Sequence, residues 1–233
     1  AIWARRLGSF ALPLTIVPVL MHRGAAIDTP TFEVVELVAM AVALLALAAS
    51  IGAFARIWVT GDRGWGRAVT GLVCSLVCLA PFGLLTLDYV VYPMADEVST
   101  DRADPPPLVS AVQPVPPSAA IAQRLAAAFP NVKTRNYPLP PRQLFGIVDR
   151  LVNERGWDVL RRRDPAGPDG EGPINALAVT LFGFRDEVSI RLVRSPDGTS
   201  VAMRSASLTA LHEPGVNGSR IEGFLTALDD RIT

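Results

Sequence analysis

Apolar residues are concentrated in the N-terminal part of the chain, where they form three runs without charge. The longest run covers residues 68–87 and meets its first charge at Asp88. A helix of about twenty residues rises roughly 30 Å, which matches the hydrocarbon core of a bilayer. The run therefore predicts a transmembrane helix over residues 68–92, with Tyr89 and Tyr92 at its outer interface.

The second run, residues 37–55, is rich in Ala, Leu and Val and predicts a span over residues 34–56. Glu33 and Glu36 stand at its start, and we interpret them as the exposed first turn of the same helix. In that position their carboxylates lie near the positive end of the helix dipole, which favours negative charge.

The first run, residues 7–22, is shorter and contains Pro13 and Pro18. Its length is compatible with a signal-peptide core, a short tilted span or a re-entrant segment. A cleavable signal ends in small residues, whereas His22 and Arg23 stand at the end of this run. We therefore favour a retained first span, so that two to three transmembrane helices precede the rest of the chain.

Arginine marks one side of the predicted membrane region. It precedes the first span and fills the loop between the second and third spans, at Arg5, Arg6, Arg56, Arg63 and Arg67. The loop between the first and second spans has Arg23 as its only arginine. The positive-inside rule then predicts a cytoplasmic N-terminus and a C-terminal region on the opposite side of the membrane.

Residues 94–118 hold two proline-rich stretches, DRADPPP and QPVPP. Proline removes backbone donors and favours extended structure over packed elements. We expect a stiff linker that either holds the next domain away from the bilayer or lies along a neighbouring surface.

Residues 119–233 alternate between helical and strand patterns and predict an α+β domain. The strands are expected at residues 132–137, 157–162, 174–182, 187–194 and 199–207. A first helix is expected at residues 121–129, and Pro140 and Pro141 begin a second one that Gly156 ends. The predicted order is β-α-β-β-β-β-α, an antiparallel sheet with helices on one face.

The closing helix of this domain has an apolar side formed by Ile221, Phe224, Leu225 and Leu228. Asn217 or Ser219 is its expected N-cap, and Glu222 completes a capping box if Ser219 serves.

The turn at residues 195–198 fixes the register of the last two strands. It pairs Leu192 with Val201 and Ile190 with Met203, which makes an apolar face for the helices. The opposite face is then polar and predicted to be uncovered, with Ser189, Arg191, Ala202 and Arg204.

Charge and cysteine content narrow the functional classes. The 22 basic and 22 acidic residues leave no net charge, and no concentrated basic face predicts a nucleic-acid partner. Cys74 and Cys78 lie one turn apart in the third run, where packing as small apolar residues is favoured over binding a metal or cofactor with a neighbour. We therefore predict no cofactor, with the lipid bilayer and other membrane-protein subunits as partners.

Two pairs of residues invite a chemical interpretation. His212 and Glu213 are an acid/base candidate, but adjacent residues point apart on an extended chain, which favours a solvated loop. Asp186 and Glu187 are oxygen ligands of the kind that divalent cations bind, yet they also fit the polar start of a strand. No serine lies in a Gly-x-Ser-x-Gly motif, so we assign no catalytic residue and no metal ligand.

Four arginines remain as low-ranking candidates for binding an anionic ligand or a partner, namely Arg185, Arg191, Arg204 and Arg220. Two guanidinium groups on one sheet face repel each other, so a carboxylate, an anionic ligand or a partner chain is expected between them. Pairing with Asp or Glu of the same domain is the favoured alternative.

Four segments from about residue 95 onward carry a family resemblance: ADEVSTDRADPP, FPNVKTRNYPLPP, LFGFRDEVSIRL and RSASLTALHEPGVNGSRIEGFL. Their order and spacing resemble the DUF1499 family of bacterial proteins, whose relatives also carry N-terminal hydrophobic spans. The resemblance implies fold and placement in the bacterial inner membrane with a periplasmic C-terminal domain. Because the family has no known function, the resemblance implies no catalytic residue.

Two functional hypotheses follow. The favoured one is a non-enzymatic inner-membrane protein whose periplasmic domain acts as an accessory or structural subunit, or as a binding module, of a larger membrane complex. The alternative is a membrane-tethered enzyme acting on an anionic envelope substrate.

Overall fold

A computed structural model describes residues 1–61, 63–110, 113–165, 170–209 and 213–232. The chain divides into two compact units. The first unit comprises Ala1–Leu87 and Leu181–Gly183, and the second comprises Asp88–Thr180 and Phe184–Thr233. Each is considered by itself below.

The first unit contains helices α1 (Ile2–Arg23) and α2 (Thr29–Thr60) and all but the last turn of α3 (Trp65–Val91). All three are long and apolar enough to cross a membrane. Helix α1 continues through Pro13 and Pro18, which excludes a segment that turns back within the run.

Small residues line the contacts among these helices. The buried positions include Ala4, Gly8, Ala11, Ala39, Ala43, Ala46, Ala68, Gly71 and Ser75. A Cβ atom on Gly71 would lie 2.6 Å from the carbonyl oxygen of Ala4 and 2.8 Å from the hydroxyl of Ser50. Close backbone approach through small residues is typical of helices packed in a membrane.

The expected exposure of Glu36 is wrong. Helix α2 begins at Thr29, and Asp28 caps it by accepting a hydrogen bond of 3.2 Å from the backbone N–H of Thr31. Glu36 therefore lies two turns inside the helix, where it is 8% exposed. Its Oε1 atom has no hydrogen-bond partner among the residues that the structure describes.

The second unit is an α+β domain, as the sequence predicts. Its elements are β1 (Glu97–Ser99), α4 (Ala119–Ala128), β2 (Arg135–Tyr137), α5 (Pro141–Glu154), β3 (Asp158–Arg162), β4 (Gly172–Val179), β5 (Arg185–Ser195), β6 (Gly198–Ser207) and α6 (Val216–Ile232). The antiparallel sheet has the order β1-β6-β5-β4-β3, and β2 also pairs with β6. Strand β1 lies within the segment expected to be a linker, because three residues are too few for an alternating pattern to reveal a strand.

The register predicted from the turn is confirmed. Leu192 pairs with Val201, and Ile190 pairs with Met203. All four side chains are buried in the main core with apolar residues of α5 and α6, including Leu144, Val148, Ile221, Phe224 and Leu225. One face of the sheet thus packs on helices, as expected.

The predicted cap of the closing helix is wrong. Helix α6 begins at Val216, directly after Gly215, whose φ of +77° suits glycine. Asn217 and Ser219 therefore lie inside its first turn, and the side chain of Asn217 bonds to the sheet instead. Glu222 accepts a hydrogen bond of 3.1 Å from the backbone N–H of Asn131 and completes no capping box.

Candidate functional site

The sheet face predicted to be uncovered is covered by the chain itself. Residues 101–110, which we call the strap, lie along it and are held through their backbone. The amide of Asn175 and the hydroxyl of Ser189 both donate to the carbonyl oxygen of Pro107, at 2.9 and 2.8 Å. Because prolines lack an N–H, the centre of the strap offers only acceptors, and donors on the sheet side chains meet them.

Glu187 fixes the C-terminal end of the strap. Its side chain is fully buried and accepts hydrogen bonds from the backbone N–H groups of Val109 and Ser110, at 2.8 and 2.9 Å. The amide of Asn175 donates a third bond of 2.9 Å to the same carboxylate. A buried carboxylate needs such donors, so Glu187 is a structural anchor for the strap.

Arg191 holds the N-terminal end of the strap. Its guanidinium donates to the carboxylate and to the backbone carbonyl of Asp104, each at 2.7 Å. Asp101 lies 3.4 Å from the same group. The arginine side chain is 13% exposed, whereas that of Asp104 is 78% exposed, so this pair lies at the rim of the face.

Arg204 forms a buried ion pair with Glu97 on the neighbouring strand β1. Its Nε donates to Oε2 of Glu97 at 2.7 Å, and Nη2 donates to the same oxygen. The two side chains are 9% and 7% exposed. A contact of 3.4 Å joins Nη1 to the carbonyl of Pro106, so Arg204 touches both β1 and the strap.

Arg220 lies on the opposite, helix-covered face of the sheet. From α6 it donates to Oδ2 of Asp186 at 2.6 Å and to the hydroxyl of Ser205 at 2.8 Å. Asn217 joins the same network through Ser205 and Ser207. Oδ1 of Asp186 is buried without a hydrogen-bond partner among the described residues.

The four candidate arginines therefore do not form one site. Side chains of a strand alternate between faces, which separates Arg191 and Arg204 from Arg220. Arg185 is exposed at the start of β5, with no side-chain partner in the described part of the chain. The favoured alternative, pairing with carboxylates of the same domain, describes Arg191, Arg204 and Arg220, while ligand binding at the four stays a prediction.

Alternation along β5 also separates the two residues considered as cation ligands. Asp186 faces α6 and Glu187 faces the strap, so these two carboxylates do not share one ion. Within the described ranges, no group of three or more His, Cys, Asp or Glu side chains is arranged to hold a metal.

The second chemical pair is described only in part. His212 lies outside the described residues. Glu213 is 9% exposed and accepts a hydrogen bond of 2.9 Å from the hydroxyl of Thr180, so its assignment to a solvated loop is wrong. Thr180 in turn accepts from the backbone N–H of Phe184 at 3.1 Å, which ties Glu213 to the turn between β4 and β5.

The cysteines of the first unit are free thiols. Cys78 is 2% exposed and packs against Ala11 and Ala43. This contact fits the interpretation of small apolar packing.

A polar cluster joins β2 to α6 through Tyr137, Arg135 and Asp229. Tyr137 donates from its hydroxyl to Oδ1 of Asp229 at 2.7 Å, and Arg135 pairs with Oδ2 of the same carboxylate. Burial raises the pKa of Tyr137 above its usual value, and the nearby Arg135 charge opposes that shift. The phenol therefore stays protonated and acts as a hydrogen-bond donor that fastens β2 to α6.

A cavity of about 230 Å³ lies beneath α4, between β1 and the proline-rich segment. Its lining includes the apolar side chains of Val98, Leu125 and Phe129. The charged lining residues are Glu97, Arg102, Lys133 and Arg204. Sequence reasoning missed this cavity, and the available signal was Lys133, the only lysine of the chain.

Comparison with protein families supplies the affiliation of this domain. The sequence model of DUF1499, described as a protein of unknown function, matches residues 97–228. The chain belongs to the DUF1499 family. The matched DUF1499 region includes all four candidate arginines, the strap and the cavity. No curated protein and no solved structure matches the chain.

Proposed function

We propose that this DUF1499 protein is a non-enzymatic binding module anchored in the bacterial inner membrane. Its N-terminus lies in the cytoplasm, and its C-terminal domain lies in the periplasm as an accessory subunit of a larger membrane complex. The observation that carries this proposal is the outward display of large apolar side chains by all three long helices. They include Trp3, Leu20, Leu37, Leu45, Ile51, Leu76, Leu84 and Leu87, each more than half exposed.

Such a surface requires an apolar surrounding, because contiguous exposed apolar area on this scale marks a membrane or a protein interface. Lipid covers part of this apolar surface, and helices of a partner subunit cover the rest. The arginine distribution supports the orientation, since Arg56, Arg63 and Arg67 all lie near the junction of α2 and α3.

The buried carboxylates of the domain support a binding role over catalysis. Glu187, Glu97 and Asp186 each bond to groups that hold the domain together. A carboxylate in such a network is fixed as a structural partner rather than placed to exchange protons with a substrate.

The alternative function, an enzyme acting on an anionic envelope substrate, is favoured by the cavity beneath α4. There the buried pair of Glu97 and Arg204 lies beside two further cations. Turnover of an anionic substrate that is lost on replacing Glu97 would favour this alternative, whereas binding without turnover supports the module.

Orientation is tested by cysteine labelling. In a background with Cys74→Ala and Cys78→Ala, the exposed residue Ala120 is changed to Cys and labelled with a membrane-impermeant maleimide. We expect labelling while the inner membrane is intact. The matched change Arg63→Cys, in the loop between α2 and α3, should react only after detergent is added. The reverse pattern would place the domain in the cytoplasm and overturn the proposed orientation.

The subunit role is tested by crosslinking from the outward helix faces. A photoreactive amino acid at Leu45 or Leu84, both more than half exposed, is irradiated in cells, and the products are identified by mass spectrometry. We expect the same membrane protein to be captured from neighbouring outward positions. Recovery of lipid adducts alone, together with a monomer in native mass spectrometry, would contradict the subunit role.

A further inference from the structure

The cavity beneath α4 has an apolar wall built from two elements of the domain. Helix α4 places Leu125 toward the core, and Phe129 follows at its end. Strand β1 contributes Val98, which is 7% exposed. The ring of Phe129 is fixed from behind by stacking on Tyr92, with centroids 5.3 Å apart. This wall suits a small apolar group and offers it a rigid surface.

The lining of the same cavity also carries positive charge. Arg102, Lys133 and Arg204 contribute three cations, and Glu97 is the only carboxylate among the described residues of the lining. Since Glu97 pairs with Arg204, two positive charges are left without a carboxylate in this lining. Lys133 is exposed and makes no ion pair within the described part of the chain. Arg102 donates to the backbone carbonyl of Ala122 at 2.6 Å, which leaves its charge available.

Arg204, which also lines the cavity, keeps N–H donors available. A guanidinium has five N–H groups, and Arg204 makes three contacts, two with Glu97 and one with Pro106. The remaining N–H groups belong to a side chain that is more than nine-tenths buried. A buried donor without an acceptor is unfavourable, so an incoming ligand oxygen would stabilise it.

The volume limits the ligand to a small molecule. A cavity of 230 Å³ equals the share of liquid volume of roughly eight water molecules and is smaller than the roughly 300–1,000 Å³ of sites for drug-sized ligands. The occupant is therefore a short apolar body of several carbons with one anionic group.

We propose that this cavity binds a small anionic amphiphile, a short apolar body that carries one carboxylate. The apolar body contacts Leu125, Phe129 and Val98, and the carboxylate lies between Lys133, Arg102 and Arg204. This proposal deepens the binding-module function and rests on it. Binding at the cavity is measurable whichever side of the membrane the domain occupies and whichever subunit accompanies it. Failure of this proposal can therefore be distinguished from failure of the proposed orientation or subunit role.

The probe is octanoate carrying a photoreactive diazirine in its chain, applied to the full chain in lipid nanodiscs. We expect saturable labelling that maps to residues 122–133 and to β1, and that excess octanoate prevents. Octanol, which has the same chain without the charge, should compete about tenfold less well, since a desolvated charged contact contributes roughly 1.4 kcal/mol or more. Labelling confined to α1, α2 and α3 would show partition into the bilayer only and would overturn the proposal.

Two matched pairs of variants locate the site. Ala126 lines the cavity, and its neighbour Ala127 on the same exposed helix does not. We expect Ala126→Trp to fill the cavity and reduce specific labelling at least about tenfold, while Ala127→Trp leaves it within about twofold. Lys133→Gln should raise the concentration of octanoate that halves labelling about fivefold. Arg124→Gln removes a charge outside the cavity and should leave that concentration unchanged.

Equal labelling of the two tryptophan variants would overturn the assignment of the cavity. Competition by octanol as strong as that by octanoate would overturn the anionic character of the ligand. Unchanged thermal unfolding of all four variants serves as the check that a loss of labelling reflects the cavity and not the fold.

Discussion

The two units of this protein bury opposite kinds of side chain. Among the three N-terminal helices, Ala4, Ala43 and Gly71 are buried, whereas Leu45 is 61% exposed. In the C-terminal domain the large side chains are inside, and Phe224 is fully buried. Water drives large apolar side chains inward, but lipid does not, so helices in a bilayer pack through small residues instead. The packing of the helical unit is therefore compatible with a membrane.

The two units also treat buried charge differently. In the C-terminal domain, Arg204 and Arg220 each face a carboxylate, and Glu187 accepts three hydrogen bonds. In the helical unit, Glu36 is buried and one of its oxygens has no partner among the described residues. A buried charge is tolerated when it is paired, and ionisable groups inside a membrane are rare. Among the described residues of this unit, Glu36 is the one buried carboxylate.

The largest expected effect comes from breaking a buried pair in the C-terminal domain. Arg220→Met removes the cation beside Asp186 and leaves that carboxylate buried. We expect the domain to lose about 3–5 kcal/mol of unfolding free energy, measured by hydrogen exchange of β5 and β6 in nanodiscs. Arg185→Met replaces an exposed arginine of β5, next to Asp186, and should change the unfolding free energy by less than about 0.5 kcal/mol. Equal losses in the two variants would show that the pair does not stabilise the domain.

The next largest loss of stability is expected from shortening a large buried side chain of the C-terminal domain. Leu144 is fully buried in α5, and Leu144→Ala should cost the domain about 2–5 kcal/mol through a lost apolar contact and a cavity. Leu45→Ala in α2 removes a side chain of the same size from an exposed face. Its melting temperature in nanodiscs, measured by thermal denaturation, should stay close to that of the unchanged protein. A comparable loss of stability in Leu45→Ala would contradict the view that only the C-terminal domain is stabilised by burying large side chains.

A smaller effect tests the packing of small residues in the helical unit. Gly71→Ala places a methyl group within 2.6 Å of the Ala4 backbone, so we expect a loss of about 1–3 kcal/mol from overpacking. Gly52→Ala on α2 meets no atom within 4 Å and should be neutral or slightly stabilising, because alanine favours a helix. Reversible denaturation of the helices in detergent, followed by circular dichroism, measures both. A neutral Gly71→Ala would show that α1 and α3 do not approach closely.

The features predicted correctly are those that a local pattern determines. The absence of charge from residues 37–55 and 68–87 was enough to predict α2 and α3, because membrane spans are set by length and polarity. The pairing of Ile190 with Met203 followed from one short turn, because a hairpin loop fixes the register of both strands.

The features missed depend on contacts between distant residues. Glu187 binds the backbone of Val109 and Ser110, almost eighty positions earlier, and no local pattern connects them. The strap therefore appeared as a linker, and the face beneath it was predicted to be uncovered. The cavity was missed for the same reason, since its walls come from β1, α4 and the proline-rich segment, and only their packing creates it.

The smallest expected effect concerns an exposed ion pair of the C-terminal domain. Arg231 donates to both oxygens of Glu154, and this hydrogen bond, together with the arginine charge, lowers the pKa of Glu154 below its usual value of 4.5. A carboxylate with a lowered folded pKa stabilises the domain above its unfolded pKa, and the contribution is lost as the pH falls through the folded pKa. We therefore expect Glu154→Gln to lower the melting temperature slightly at pH 6, and the difference to shrink as the pH falls below 4.5 and through the lowered pKa of Glu154. Asp158→Asn on an exposed strand position is the matched control, and addition of 1 M salt should reduce the difference at pH 6 as well. A melting-temperature difference that persisted at low pH would show that Glu154 stabilises α5 by some means other than its charge. It would also contradict the view that exposed charges of this domain contribute little to stability, whereas buried ones must be paired.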